Sequence, residues 1–194
     1  MYKRQWRTLL AEAEAILHRA GIDQAPQQAR WIVEEASGLE GAELVLGLDE
    51  PATTGTVAHL DDLVGRRCGG EPIQYVLGHW SFRHLDLVVD RRVLIPRPET
   101  EQVVDVALAE LDVAVDGAGG GRRATAVDLG TGSGAIALAI ATERPGTEVW
   151  AVDVEPGPVA VTRANLAGLG MAASRVRVVQ GAWFEPLPSE LRLS

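Results

Sequence analysis

The sequence predicts an α/β protein in three parts: a small N-terminal helical bundle, a β-hairpin linker, and the first half of a doubly wound parallel sheet. Three observations carry this expectation. Apolar residues recur at helical spacing through residues 5–67. The pattern changes to period two after Gly69-Gly70. From Ala124 onward, short segments alternate strand, helix, strand, helix, strand, with a glycine-rich loop after the first strand.

Residues 5–20 read as a helix whose apolar face is Trp6, Leu9, Leu10, Ala13, Ile16 and Leu17. Gly21 is a stop signal, and Pro26 sits where a second helix opens. Ala29, Ile32, Val33 and Ala36 continue that second face until Gly38 and Gly41 break it. Further helices are expected at Glu43–Leu48 and at Thr56–Arg67, the latter carrying Val57, Leu60, Leu63 and Val64. Trp6 and Trp31 lie on apolar faces and are assigned to the core. Beyond Gly69-Gly70, Ile73, Tyr75 and Leu77 alternate, Gly78 turns the chain, and Phe82, Leu85, Leu87 and Val89 follow in a second extended run. This reads as a β-hairpin. Leu94 to Thr100 is held extended by Pro96 and Pro98. A helix then opens near Glu99 with Val104, Ala107, Leu108 and Leu111 on one face, and Asp116–Arg123 is a glycine-rich linker. The sheet part comprises strands at 124–129, 148–152 and 176–179 and helices at 135–142 and 158–167. The expected domain limits are 1–70, 71–98 and 99–194.

Composition narrows the function. The chain has 194 residues and 46% hydrophobic content, enough for a packed core. No apolar run approaches the roughly 18–20 residues that span a bilayer, and the N-terminus lacks the pattern of a signal peptide. A cytoplasmic protein with no membrane partner is expected. The formal net charge of -9 argues against direct nucleic acid binding, which rests on basic surfaces. Cys68 is the only cysteine, so an intrachain disulfide and a cysteine zinc cluster are both excluded. It reads as a passive, partly buried residue rather than a reactive thiol. His18, His59, His79 and His84 are scattered, so no metal site is expected, and His79 and His84 read as surface residues of the hairpin.

The chemical signal lies in Asp128-Leu129-Gly130-Thr131-Gly132-Ser133-Gly134, which leaves an apolar strand and opens a helix. Glycines there let the backbone approach a ligand and turn sharply. Asp153 ends the next strand, about 20 residues beyond the loop, where an acid can accept hydrogen bonds from both ribose hydroxyls. Strand, loop, helix, strand and acid together indicate a nucleoside cofactor. The glycines are one residue tighter than in the dinucleotide fingerprint. Asp128 would also repel a pyrophosphate but suits the amino group of a methionine moiety. Both features favour S-adenosylmethionine over NAD. Ser133 reads as loop backbone, because no nucleophile elbow surrounds it.

Gly70-Glu71-Pro72-Ile73-Gln74-Tyr75-Val76-Leu77-Gly78 and Leu94-Ile95-Pro96-Arg97-Pro98-Glu99-Thr100-Glu101 resemble two signatures of the HemK/PrmC family of release factor glutamine N5-methyltransferases. The glycine loop, Ala151-Val152-Asp153 and Gln180-Gly181-Ala182-Trp183-Phe184 resemble its methionine loop, ribose strand and adenine-side segment. The resemblance covers roughly residues 7–190. It implies a Rossmann-like class I methyltransferase sheet, S-adenosylmethionine as cofactor, and a peptide chain release factor as protein substrate. It implies that Asp128, Gly130, Thr131, Gly132, Ser133 and Gly134 line the methionine end, that Asp153 holds the ribose, and that Trp183 packs near the adenine. Pro96, Arg97, Glu99 and Thr100 would border the cofactor and substrate entrance. Core packing stays open for Trp183, as does a surface or capping role for Arg97 and Glu99.

Two departures stand out. Ala182 occupies the place where the family carries an acid for the adenine amino group. The family's catalytic Asn-Pro-Pro-Tyr is absent, because the only asparagine, Asn165, falls in a helix. No catalytic residue is assigned, and the chain is expected to be a C-terminally truncated member holding three of the fold's seven strands. A DNA or RNA amino-group methyltransferase, and a cofactor-binding chain that transfers no methyl group, remain as alternatives.

Overall fold

The computed structural model describes residues 4–117 and 124–192, and the chain divides into two compact units, Met1–Leu77 and Gly78–Ser194.

The first unit is helical: α1 (Trp6–Arg19), α2 (Ala25–Ser37), α3 (Ala42–Gly47), α4 (Thr54–Cys68) and α5 (Ile73–Leu77). Local chemistry sets the limits. Pro26 lies in the first turn of α2, and Gly38 ends that helix in the left-handed region at φ 70°. Thr53 and Thr56 form a reciprocal capping box that starts α4. Leu9, Leu17, Ile32, Val33 and Leu63 are all but fully enclosed. Each such side chain contributes about 1.5–3 kcal/mol on burial. Trp6 belongs to this core, whereas Trp31 is partly buried against it.

Two expectations fail here. Residues 73–77 form a helix, not a hairpin strand. The spacing is ambiguous: Ile73 and Val76 are both buried, which suits a helical turn as well as period two does. Pro72 begins that turn, its carbonyl accepting from the Tyr75 and Val76 amides. At its far end the Arg66 guanidinium donates to the Tyr75 and Val76 carbonyls at 2.7 and 3.3 Å and to the Glu71 carboxylate at 3.0 Å. Cys68 is exposed rather than partly buried, because it ends α4.

The second unit opens with the hairpin. Strands β1 (His79–Phe82) and β2 (Leu85–Val88) pair antiparallel, with Phe82 opposite Leu85 across a two-residue turn. Arg83 takes φ 53° in that turn. Gly78 therefore precedes the hairpin rather than turning it. The helix expected near Glu99 is α6 (Thr100–Gly117), which enters the stretch read as a linker. Residues 118–123 of that stretch lie outside the described residues.

The sheet follows as β3 (Thr125–Leu129), α7 (Ala135–Glu143), β4 (Glu148–Asp153), α8 (Pro156–Ala167) and β5 (Val176–Gln180). The strands are parallel in the order β3-β4-β5. Both crossovers step the same way, so right-handed connections put α7 and α8 on one face. Ala137 to Ala141 of α7 are all buried, which explains its near-continuous apolar sequence. The register sets Leu129 beside Val152 and Asp153 beside Gln180, so three strands deliver Gly130, Asp153 and Gly181 to one edge. This is the α/β architecture that the sequence predicts.

Candidate cofactor site

The glycine loop is pinned to the end of β4. The Gly130 and Thr131 amides donate to the Val152 carbonyl at 2.8 and 2.9 Å, and the Gly132 amide donates to Asp153 Oδ2 at 3.0 Å. Gly130, Gly132 and Gly134 all have positive φ. Gly134 is the most constrained: a Cβ there would stand 2.9 Å from Thr162 Cγ2 and 3.1 Å from Leu138 Cδ1.

Asp128 ends up at the N-terminus of α7. Its Oδ2 accepts from Thr131 Oγ1 at 2.7 Å and from the Ala137 amide at 3.3 Å. Burial pushes this carboxyl above the ordinary 3.8, and the neighbouring Asp153 adds to the rise, while the two hydrogen bonds oppose it. A carboxylate thus already occupies the helix end where a pyrophosphate would bind. The position suits a cation instead.

Two cavities meet at Gly130. One, of about 260 Å³, is lined by Leu129, Gly130, Val152, Asp153, Val154, Gly181, Ala182 and Trp183. Trp183 is 74% exposed and held at φ 51°, which excludes the core-packing alternative. Asp153 Oδ1 accepts from the Glu155 amide at 3.1 Å, so the chain just past β4 fixes the carboxylate at the cavity wall. The second cavity, of about 430 Å³, gathers Asp128, Gly130, Thr131, Gly132 and Ser133 with Leu94, Ile95, Pro96, Arg97 and Thr100. The structure therefore brings Pro96, Arg97 and Thr100 to the loop. Glu99 is exposed and is not among the lining residues.

A family profile described as PrmC N-terminal domain matches residues 8–78, and one described as methyltransferase small domain matches residues 103–190. Both matched segments are those of a PrmC-like methyltransferase. Curated proteins named release factor glutamine methyltransferase are similar over most of it. The one from Gloeobacter violaceus is 41% identical over 189 residues, covering 95% of this chain and 60% of the relative. The one from Bifidobacterium longum is 40% identical over 163 residues, 82% of this chain and 53% of the relative. The one from Geobacter sulfurreducens is 35% identical over 181 residues, 93% of this chain and 60% of the relative. The chain thus spans between 53% and 60% of the length of these relatives.

Two supporting residues, Thr162 and Asn165, were given no site role from the sequence, whereas Gly181 lies in the segment already read as adenine-side. Thr162 of α8 is fully buried, and its hydroxyl donates to the Gly132 carbonyl at 2.8 Å. Asn165, also on α8, donates to the Ser133 carbonyl at 2.9 Å. Gly181 faces the Pro186 ring, which a Cβ would approach to 2.8 Å. Two polar residues three apart within an apolar helix were the only available signal for the first pair.

Proposed function

We propose that the chain binds S-adenosylmethionine across the two cavities that share Gly130. In this reading it serves methyl transfer to the side-chain amide nitrogen of a glutamine in a peptide chain release factor. The observation that carries the cofactor reading is the pair of carboxylates, Asp128 and Asp153, at the strand ends on either side of Gly130. The chemistry of the donor set fits the group. Asp153 can accept from ribose hydroxyls, Trp183 and Val154 offer exposed apolar surface to a base, and Asp128 brings a carboxyl group to the cavity assigned to the amino-acid end. Bound S-adenosylmethionine supplies an electrophilic methyl group on a sulfonium. The glycine loop and the Leu94–Arg97 strap position that end, which is catalysis by placement. Ala182 offers no acceptor to an adenine amino group.

The substrate reading rests on the relatives' names and on the PrmC N-terminal match. The helical unit is assigned the docking of the release factor, and a cytoplasmic location belongs to the same proposal. Among the described residues no helix is long and apolar enough to cross a membrane. A second reading is binding of cofactor and release factor without methyl transfer. Incubation with methyl-labelled S-adenosylmethionine and a release factor separates the two. The first reading expects label on one glutamine, and cross-links from the release factor to residues 4–77. Cross-links without label support the second, and the absence of both label and cross-links would overturn the substrate assignment.

A further inference from the structure

Asn165 makes more contacts than a helical asparagine needs. It is 8% exposed and uses both amide hydrogens and one lone pair of its carboxamide oxygen. Its Oδ1 accepts from the Val88 amide at 2.7 Å, and its Nδ2 donates to the Val88 carbonyl at 3.1 Å and to the Ser133 carbonyl at 2.9 Å. Towards Val88 the side chain behaves as one residue of a neighbouring strand, pairing both backbone groups at the end of β2. Towards Ser133 it fixes the middle of the glycine loop. The two acceptor carbonyls admit only one orientation of the amide.

These two anchors lead to two segments that line one cavity. Ser133 is itself part of the wall of the 430 Å³ cavity. Val88 is followed by the fully buried Val89 and the buried Val93, after which Leu94, Ile95 and Pro96 also line that cavity. The Arg92 side chain also lies where a Cβ on Gly157, in the first turn of α8, would stand 3.3 Å away. One helix therefore braces both the loop and the strap. The 260 Å³ cavity receives no residue from either anchor.

We propose that Asn165 is a positioning residue that sets the spacing of the amino-acid end of the cofactor cavity and leaves the nucleoside end alone. The inference rests on the cofactor reading above. It makes a distinction that a merely structural role does not. S-adenosylhomocysteine carries the amino-acid arm, and methylthioadenosine lacks it. Removing the bridge should weaken the first ligand selectively.

The test is calorimetric titration of the 194-residue chain and of its Asn165→Ser and Asn165→Asp variants with both ligands. The expected result is a loss of about 10-fold or more for S-adenosylhomocysteine, the scale of one or two buried hydrogen bonds, with methylthioadenosine within about 2-fold. Equal losses for both ligands, or no loss, would overturn the proposal. A wild-type chain that binds neither ligand would instead overturn the cofactor reading, and the proposal with it. Hydrogen exchange in the wild-type chain gives a measurement that does not depend on the variants folding. S-adenosylhomocysteine should slow exchange at the Val88 amide and methylthioadenosine should not. The same protection from both ligands would count against the bridge.

Discussion

Asp128 ties the glycine loop to the first turn of α7 through one carboxyl oxygen. Its folded pKa lies above the ordinary 3.8 because burial disfavours the charge. Between those two values the folded state holds more protons than the unfolded chain. Stability contributed by this group therefore falls as pH rises through that window. A bound ammonium would reverse the balance by favouring the ionised form. Affinity for S-adenosylmethionine is then expected to weaken on acidification into the window. Asp128→Asn should lose about 10-fold in affinity at neutral pH, the scale of one charge-assisted hydrogen bond, and should lose that pH dependence. Titrations at two pH values check this, and parallel pH profiles for the two proteins would refute it. Asp128, the three loop glycines and Asp153 were legible in the sequence because strand, loop and acid follow one another along the chain. Asn165 and Thr162 were not, because their partners lie 77, 32 and 30 residues away. Only the fold brings those atoms together.

At the scale of elements, the hairpin is fastened by its turn. The Arg83 guanidinium donates to both oxygens of Glu143 on α7 at 2.5 and 2.8 Å, and to Asp105 on α6 at 2.7 Å. The Arg83 amide donates to Glu101 Oε1 at 3.0 Å. Hydrogen bonding to Arg83 holds the Glu143 carboxyl below its ordinary 4.5, against the opposing effect of burial. The stability this adds is present above the unfolded value and is lost as pH falls through the folded one. Glu143→Gln should therefore cost about 1–3 kcal/mol near pH 7 and much less at acid pH. Urea unfolding at both pH values measures it, and an unchanged difference would contradict the clamp. The alternating strands and helices from β3 to β5 were legible because each is a short apolar run bounded by glycine, proline or charge. Helix α5 was not: over five residues, burial of Ile73 and Val76 suits either period, and the deciding contacts come from Arg66 on another helix.

At the scale of the whole molecule, two compact units carry two different kinds of information. The helical unit matches the PrmC N-terminal profile, and the sheet unit holds the two cavities around Gly130. Helical periodicity made the first unit visible in the sequence. The cavities were not visible, because their walls come from the strap, the loop and the end of β5. The reading proposed for this loop and its two carboxylates is a site for S-adenosylmethionine and not for a dinucleotide. Calorimetric titration of the chain with S-adenosylmethionine, with NAD as the comparator, tests it most directly. Heat of binding is expected from S-adenosylmethionine and none from NAD. Binding of NAD alone would contradict it, because a pyrophosphate would then share the end of α7 with the Asp128 carboxylate.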